Sequence, residues 1–428
     1  MREGADAVAT GARPSDPLPE ARLRPRGSNQ GGMRQFNERV VLQAIRLQGS
    51  VPKAEIARLT HLTAQTVQII IARLEADGLV RKLAPVRGKV GQPSVPMALN
   101  PDGAFSIGVK IGRRSLDLLL VDFTGHVRER LSVDYAFPDP EALFDAIGTG
   151  LRQLRKALKP ALRGRLQGIG VAAPLSLGGW SRLLGIPADI ADKWQGIDVR
   201  ERVAALGATA GLPVEFVKDT AAACVAELVA GRGHSIRSFL YLFVDTFIGG
   251  GLVLDSHLVS GPTGNAGAVG SLPLGLGASP KAQPEQLLNV ASLWNLERRY
   301  AKAGLAVDAW ADERALREPW LTHTNGWLAE ASPAIALAIN SAACLLDLEG
   351  VIVDGSFGRA LLDALLAAIE GALDRLSWEG VARPRPLAGT IGSDARAIGG
   401  ALLPLYENFA PDRDLFLKID AKSNGAAR

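Results

Sequence analysis

Short polar side chains at the start of one segment are the first candidates for chemistry. Thr63, Gln65, Thr66 and Gln68 open LTAQTVQIIIARLEADGL, in which Val67, Ile70, Ile71 and Leu74 recur at helical spacing. Amides on the first turns of a helix match the donor–acceptor pattern of an adenine edge, so Gln65 and Gln68 are candidate base readers. Ile69 suits a thymine methyl. Arg73, with Arg87 and Lys89 in the nearby APVRGKVGQPS, offers cations to phosphates or to a minor groove. A second group lies far downstream. Asp219, preceded by Lys218, stands where PVEFVKDTAAACVAELVAG passes from strand to helix. A carboxylate there often caps the helix. Lys110, in the glycine turn GVKIGRRS, either attracts an anion or forms a structural ion pair.

These residues need elements to hold them. NERVVLQAIRLQG predicts one helix, with Val41, Ala44 and Ile45 on its apolar face and Gly49 ending it. PKAEIARLTH predicts a second, with Pro52 near its start. The third carries the polar group, with Thr63 as N-cap and Gly78 at its end. LVRKL (79–83) and VPMAL (95–99) predict two short strands around the basic loop. Three helices and a basic β-wing make a winged helix-turn-helix.

Charge supports a nucleic-acid partner for this head. Residues 1–100 carry 15 Lys/Arg and 8 Asp/Glu, whereas the remainder is slightly acidic within a whole-chain net of +4. Residues 1–32, rich in Gly, Pro, Ala and Arg, read as a disordered basic arm, and 33–100 as the DNA-binding head. The two cysteines, Cys224 and Cys344, build no disulfide framework and read as buried small hydrophobes. The five histidines are scattered, so no metal site is expected. No apolar run reads as long enough to span a bilayer, and no signal pattern opens the chain, so a cytoplasmic protein without membrane contact is expected.

Residues 101–428 alternate strand and helix. FSIGVKI, SLDLLLVDF, LQGIGVAAPLSL and LEGVIVDGSFG read as strands. SFLYLFVDTFIGGGLVLDSHLV reads as a hairpin with a glycine run at its turn, and GTIGSDARAIGGALLPLYENF as a glycine loop opening a helix. EALFDAIGTGLRQLRKALKPALRGR reads as a surface helix, and tryptophans such as Trp194 as packing residues. Two halves of related texture imply a two-lobed α/β body with a cleft.

Taken in order, SNQGGMRQFNERVVLQAI, LTAQTVQIIIARLEADGLV and the α/β body resemble the ROK family of bacterial repressors and sugar kinases, over about residues 29–410. The resemblance implies an N-terminal winged helix-turn-helix followed by a two-lobed α/β, actin-like ATPase fold of the ROK sugar-kinase type. It also sets positions to compare. The family's D-x-G-x-T turn corresponds to Lys110, Ile111, Gly112, Arg113 and Arg114, so a lysine replaces the acid and Arg114 the hydroxyl residue. Asp219 falls at the catalytic aspartate, with Lys218 in place of the usual asparagine. In VDTFIGGGLVLD, Asp245 and Phe247 replace glycines near the expected phosphate. The G-E-x-G-H sugar motif becomes Gly267, Ala268, Val269, Gly270 and Ser271, following Asn265. A further sugar-binding glutamate falls near Leu288 or Asn289, and the zinc-binding cysteines are missing.

The resemblance therefore implies a scaffold whose turns are kept and whose reactive side chains are depleted. Expected is a DNA-binding transcriptional regulator, a repressor of carbohydrate-related genes, not an enzyme, with Asp219 a vestigial base and no cofactor. Its partners would be a double-stranded operator and a sugar or sugar-derived effector contacting Asp219, Lys218, Asn265 and Lys110. Assembly as a homodimer or homotetramer is expected. Two alternatives stay open: an active ROK sugar kinase with a DNA-binding head, and a regulator answering to a non-sugar or anionic ligand or to a partner protein.

Overall fold

The computed structural model describes residues 30–85, 94–179, 181–277, 279 and 282–411. The head begins with α1 (Gln30–Gln48), so residues 30–32 of the expected arm are helical. A two-residue strand β1 (Val51–Pro52) leads into α2 (Lys53–Thr60), and α3 (Ala64–Ala76) follows. Strands β2 (Val80–Lys82) and β3 (Pro96–Leu99) join β1 in an antiparallel sheet of order β1-β3-β2. The predicted helical stripe is the buried one: Val67, Ile70, Ile71 and Leu74 enter a core with Val41, Ile45 and Ile56. Arg87 and Lys89 lie outside the described residues.

Thr63 starts α3 as the sequence predicts. Its hydroxyl oxygen accepts the Thr66 amide at 3.1 Å, and the two hydroxyls are 2.8 Å apart. The cap satisfies one of the four amide donors that a helix start leaves unpaired. Thr63→Ala should cost about 0.5–2 kcal/mol in chemical denaturation of the full chain, and Thr63→Ser should recover most of it.

The first lobe is built on a sheet of order β6-β5-β4-β7-β8. Its strands are β4 (Phe105–Ile111), β5 (Ser115–Asp122), β6 (Val127–Asp134), β7 (Leu166–Ala173) and β8 (Val214–Lys218). β4, β5 and β6 form an antiparallel meander, while β4, β7 and β8 run parallel. Parallel strands need covered faces. Helix α4 (Pro140–Ala157) covers one with Leu143, Phe144, Ile147, Leu151 and Leu154. Trp194 packs there too, its ring 6.1 Å from that of Phe144. Three short helices, α5 (Ser181–Leu184), α6 (Ala188–Lys193) and α7 (Val199–Ala204), precede β8.

The second lobe uses a sheet of order β11-β10-β9-β12-β13. These are β9 (Phe239–Val244), β10 (Gly249–Leu254), β11 (His257–Val259), β12 (Gly350–Gly355) and β13 (Arg385–Ala388). The lobe also holds α9 (Leu287–Ala291), α10 (Leu293–Lys302), α11 (Trp320–Leu346) and α12 (Arg359–Leu373). Strand alternation divides its two faces. Leu240, Leu242 and Val244 of β9 enter the core built with α11 and α12. Phe239, Tyr241 and Phe243 face α8 (Asp219–Ala230) and α13 (Ala395–Phe409) instead. Those two helices therefore lie between the sheets.

Three sequence expectations need correction. Gly249–Gly251 lie inside β10, not at the hairpin turn. They are small because α8 and the 267–269 segment press on them: a Cβ on Gly251 would strike Cys224, and one on Gly250 the carbonyl of Tyr241. Cys224 is buried as expected, but Cys344 is exposed. Finally, α11 is long and apolar enough, by length and composition, to cross a membrane. Half of its most apolar window is buried, and Trp327, Ala331, Ile335 and Ile339 form the centre of the second lobe's core.

Helix α13 joins everything. It packs on β4, β5, β7 and α8, and the approach is so close that a Cβ on Gly170 of β7 would collide with the carbonyl of Gly400. Its far end meets the head. Phe409 stands edge-to-face on Phe123 with ring centroids 4.8 Å apart. Arg46 of α1 donates to the Phe123 carbonyl at 2.9 Å and lies over the rings of Phe123 and Tyr406. Arg39 donates to the Ala410 carbonyl at 3.3 Å, and Arg165 reaches the carbonyls of Gly78 and Gly103. Leu405 is counted within the head's own apolar core.

Candidate functional site

Two surfaces carry the chemistry. The first is the outer face of α3. Gln65, Gln68, Ile69 and Arg73 are exposed on it, because the complementary stripe is spent on the core. Thr63 and Thr66 are held in the cap. Arg73 lies 3.5 Å from Glu38 of α1, both on the surface. Such a pair is weak in water and yields readily to a phosphate.

The second surface is the floor of the cleft, where the ends of β4, β8 and β9 meet the first turn of α13. Two buried carboxylates fix the loop that starts this helix. Glu227 of α8 accepts the Thr390 amide at 3.0 Å, the Thr390 hydroxyl at 3.0 Å and the Ile391 amide at 3.3 Å. Asp354 at the end of β12 accepts the Gly392 amide at 2.8 Å and Arg359 at 3.0 Å. Buried carboxyl oxygens held this way have their hydrogen-bonding capacity used.

That anchoring delivers Arg396, which is 6 % exposed, to the cleft floor. Its guanidinium pairs with Asp245, the residue after β9, and lies 3.9 Å from Asp219 at the start of α8. It also donates to the Ser356 hydroxyl at 3.2 Å and sits 5.1 Å from the centre of the Phe243 ring. Burial lowers the Arg396 pKa, but Asp245 and Asp219 outweigh it and raise it above the ordinary arginine value. Burial pushes the Asp245 carboxyl up, yet Arg396 and Lys110, with the Thr246 amide and Ser356 hydroxyl, leave it below the usual carboxylate range.

The sequence-predicted residues distribute unevenly around this floor. Asp219 is there: it faces Arg396 and accepts the amide of its neighbour Thr220 at 2.8 Å, but the helix starts after Lys218 and no side chain caps it, so of the two readings the cap is not the one observed. Lys218 is beside it, half-buried and without a hydrogen bond or ion pair among the described residues. Burial takes its ammonium below the ordinary lysine value, with Asp219 opposing. Lys110 folds back on its own hairpin. It donates to the Ser115 hydroxyl at 2.5 Å, the Ser115 carbonyl at 3.3 Å and Asp117 at 3.0 Å. Those three acceptors use its three protons, so Lys110 steadies the turn; of its two readings, geometry selects the ion pair. Asn265 lies exposed on the loop after β11, and no contact brings it to Asp219. Leu288 belongs to the second lobe's core.

Three important residues escaped sequence reasoning. Arg396 has its ion partner 151 positions away; its one signal was a cation amid the small residues of GTIGSDARAIGG. Arg113 donates to the Gly179 carbonyl at 3.1 Å and covers the Phe247 ring at 5.1 Å. Glu297 of α10 accepts Arg114 at 2.6 and 2.8 Å, tying the first lobe's turn to the second lobe. A separate cavity of about 830 Å³ opens between α10 and α11, lined by Arg298, Lys302 and His323 among others. It contains none of the predicted site residues.

The floor does not fit a metal-bound nucleotide. The turn that would present an acid presents a committed lysine, Arg396 is paired directly with Asp245, and the same guanidinium stands 3.9 Å from Asp219. Among the described residues no group of three or more His, Cys, Asp or Glu side chains is arranged to hold a metal ion.

Comparison with known proteins identifies the head and the family of the body. Residues 37–81 match the domain described as winged helix-turn-helix DNA-binding. The chain is 26% identical over 246 residues to the xylose repressor of Caldicellulosiruptor bescii, covering 56% of this chain and 58% of that protein. It is 29% identical over 310 residues to the bifunctional enzyme NanE/NanK of Brucella melitensis, covering 65% of this chain and 56% of the enzyme. The chain thus spans little more than half the length of either. Among solved structures, a ROK family transcriptional regulator described as a homologue of the E. coli Mlc protein superposes with a TM-score of 0.63 at 18% identity, over 88% of this chain and 98% of that one. Its likeness establishes the fold. Residues 106–406 match the family described as ROK, and the chain belongs to that family.

Proposed function

We propose that this protein is a DNA-binding transcriptional regulator whose ROK body senses a small ligand and performs no phosphoryl transfer. The observation that carries the reading is the α3 face: Gln65, Gln68, Ile69 and Arg73 stand exposed on a capped helix that is bolted, through α1, to the body. Helices of this kind place their first turns against base edges in the major groove. The similarity to a xylose repressor supports repression of carbohydrate-related genes. Two heads in a homodimer or homotetramer would read the half-sites of a pseudo-palindromic operator.

Regulation follows from α13. From Arg396 at the cleft floor to Phe409 at the head, it reaches about 20 Å at 1.5 Å per residue. The head is therefore fixed to the first lobe, while Arg396–Asp245 and Arg114–Glu297 join that lobe to the second. A ligand that binds one lobe arrangement more tightly shifts the population toward it and re-aims the heads.

The test is binding to DNA selected from the source genome. Gln65→Ala and Gln68→Ala should each lose about 1–3 kcal/mol at particular base positions. Arg73→Ala should weaken all sequences alike and reduce the salt slope by about one. Base-independent losses at both glutamines would contradict the assignment.

One observation favours a second reading, that of a sugar kinase: Asp219 keeps a strand-to-helix position facing the cleft, and NanE/NanK is a relative. Measured phosphate transfer from ATP to a hexose panel, abolished by Asp219→Ala, would establish it. With Arg396 paired to Asp245 and facing Asp219, no transfer is expected.

A further inference from the structure

We infer that the cleft ligand is a small anion, a carboxylate- or phosphate-bearing molecule held at Lys218, Arg113 and Arg396. The inference rests on the ligand-sensing reading above and narrows it to one chemical class.

Charge balance comes first. Lys110 and Asp117 neutralise each other within their hairpin, and Arg114 and Glu297 do so across the lobes. What remains facing the cleft is three cations, Arg113, Lys218 and Arg396, against two carboxylates, Asp219 and Asp245; Glu227, behind them, is turned onto the Thr390 and Ile391 amides. Asp219 adjoins Lys218 in sequence and lies 3.9 Å from Arg396, and Arg113 covers the ring of Phe247, two residues after Asp245; Asp219 is an electrostatic neighbour of all three cations. An uncompensated positive charge in a partly desolvated cleft favours an anion over a neutral polyol.

Donor accounting gives an independent reason. The Nε–H of Arg396 is buried and has no hydrogen-bond acceptor among the described residues, although a buried donor normally finds one. Among the described residues the ammonium of Lys218 has no acceptor either. Among the described residues Arg113 is held by the Gly179 and Ser176 carbonyls and the face of Phe247, contacts that bring no carboxylate against its guanidinium. Three cationic groups with unused donors around one carboxylate suit an oxyanion, which accepts several charge-assisted hydrogen bonds at once.

The experiment uses calorimetry on the full chain at low and moderate salt. The probes are D-glucose, D-xylose, D-gluconate, D-glucuronate, D-glucose 6-phosphate and inorganic phosphate. The expected result is that at least one anion binds at least tenfold tighter than the neutral sugars, weakens with salt, and weakens a further tenfold in Lys218→Gln. Lys218→Arg, which keeps the charge, should restore most of the affinity. Preference for sugar acids or for sugar phosphates identifies which oxyanion the floor takes. A neutral sugar binding as tightly as its acid, unchanged affinity in Lys218→Gln, or silence across the panel would each overturn the inference. Operator binding by the same unliganded preparation separates the two levels. Its loss would sink the regulator reading, whereas intact operator binding with a silent panel removes the anion alone.

Discussion

Replacing Asp245 by alanine should destabilise the protein by about 3–5 kcal/mol, the cost of leaving one partner of a buried ion pair uncompensated. Arg396 cannot swing into water, because its helix start is held by Glu227 and Asp354 and its guanidinium lies against Phe243. Asp219, at 3.9 Å, is too distant to replace the direct contact. A second substitution in the same background separates charge from packing. Adding Arg396→Met should return much of the loss, since an apolar side chain of similar length removes the orphaned cation. The pH dependence has a definite sign. Asp245 titrates below the ordinary carboxylate range in the folded protein. Its contribution is therefore complete above the unfolded-state pKa and disappears as pH falls through the folded one. The stability gap between the wild type and Asp245→Ala should be level from about pH 5 to pH 8 and close in stronger acid. A gap under about 1 kcal/mol at neutral pH would mean that the pair is solvated and the cleft floor is not organised around it.

An equally large effect is expected at Gly399. A Cβ there would run into the backbone carbonyl of Ala222 on α8, and neither helix can retreat because both lie between the two sheets. Gly399→Ala should cost about 3 kcal/mol or more, the upper end for overpacking. Gly371, exposed on α12 with nothing within 4 Å of its would-be Cβ, is the control. The same substitution there should stabilise by about 0.5–1 kcal/mol through helix propensity. Opposite signs from one chemical change would show that close packing of α13, rather than glycine flexibility, explains the GG pair at 399–400. Equal and small effects at both positions would contradict the central placement of α13.

The head was readable because its signals are local. An N-cap threonine, a four-residue apolar stripe and a closing glycine all lie within sixteen residues of one another. Strands β4, β5, β7 and β9 were readable for the same reason. The cleft was only partly so. Asp219 and Lys218 announced themselves at a strand-to-helix junction, but the group that organises the floor, Arg396, depends on Asp245 in a different lobe, and no local pattern carries such a pairing. The glycine run at 249–251 was read as a turn because turns are the commonest local use of glycine; its actual cause, pressure from Cys224 and Tyr241, is tertiary. Helix α11 was overlooked because alanines and Pro333 blur its periodicity, although its burial makes it the spine of the second lobe. Lys110 was read as replacing the acid of the family's turn, with an anion or an ion pair as its partner, and in the structure it closes the hairpin from inside.

The central claim, that the α3 face reads DNA, is tested most directly by selecting fragments from the source genome with the full chain at fixed salt. The account predicts enrichment of one pseudo-palindromic sequence, with half-sites separated by a whole number of helical turns, and loss of that enrichment when Gln65 and Gln68 are both replaced by alanine. Enrichment of no particular sequence, or the same sequence still selected after the double substitution, would contradict it.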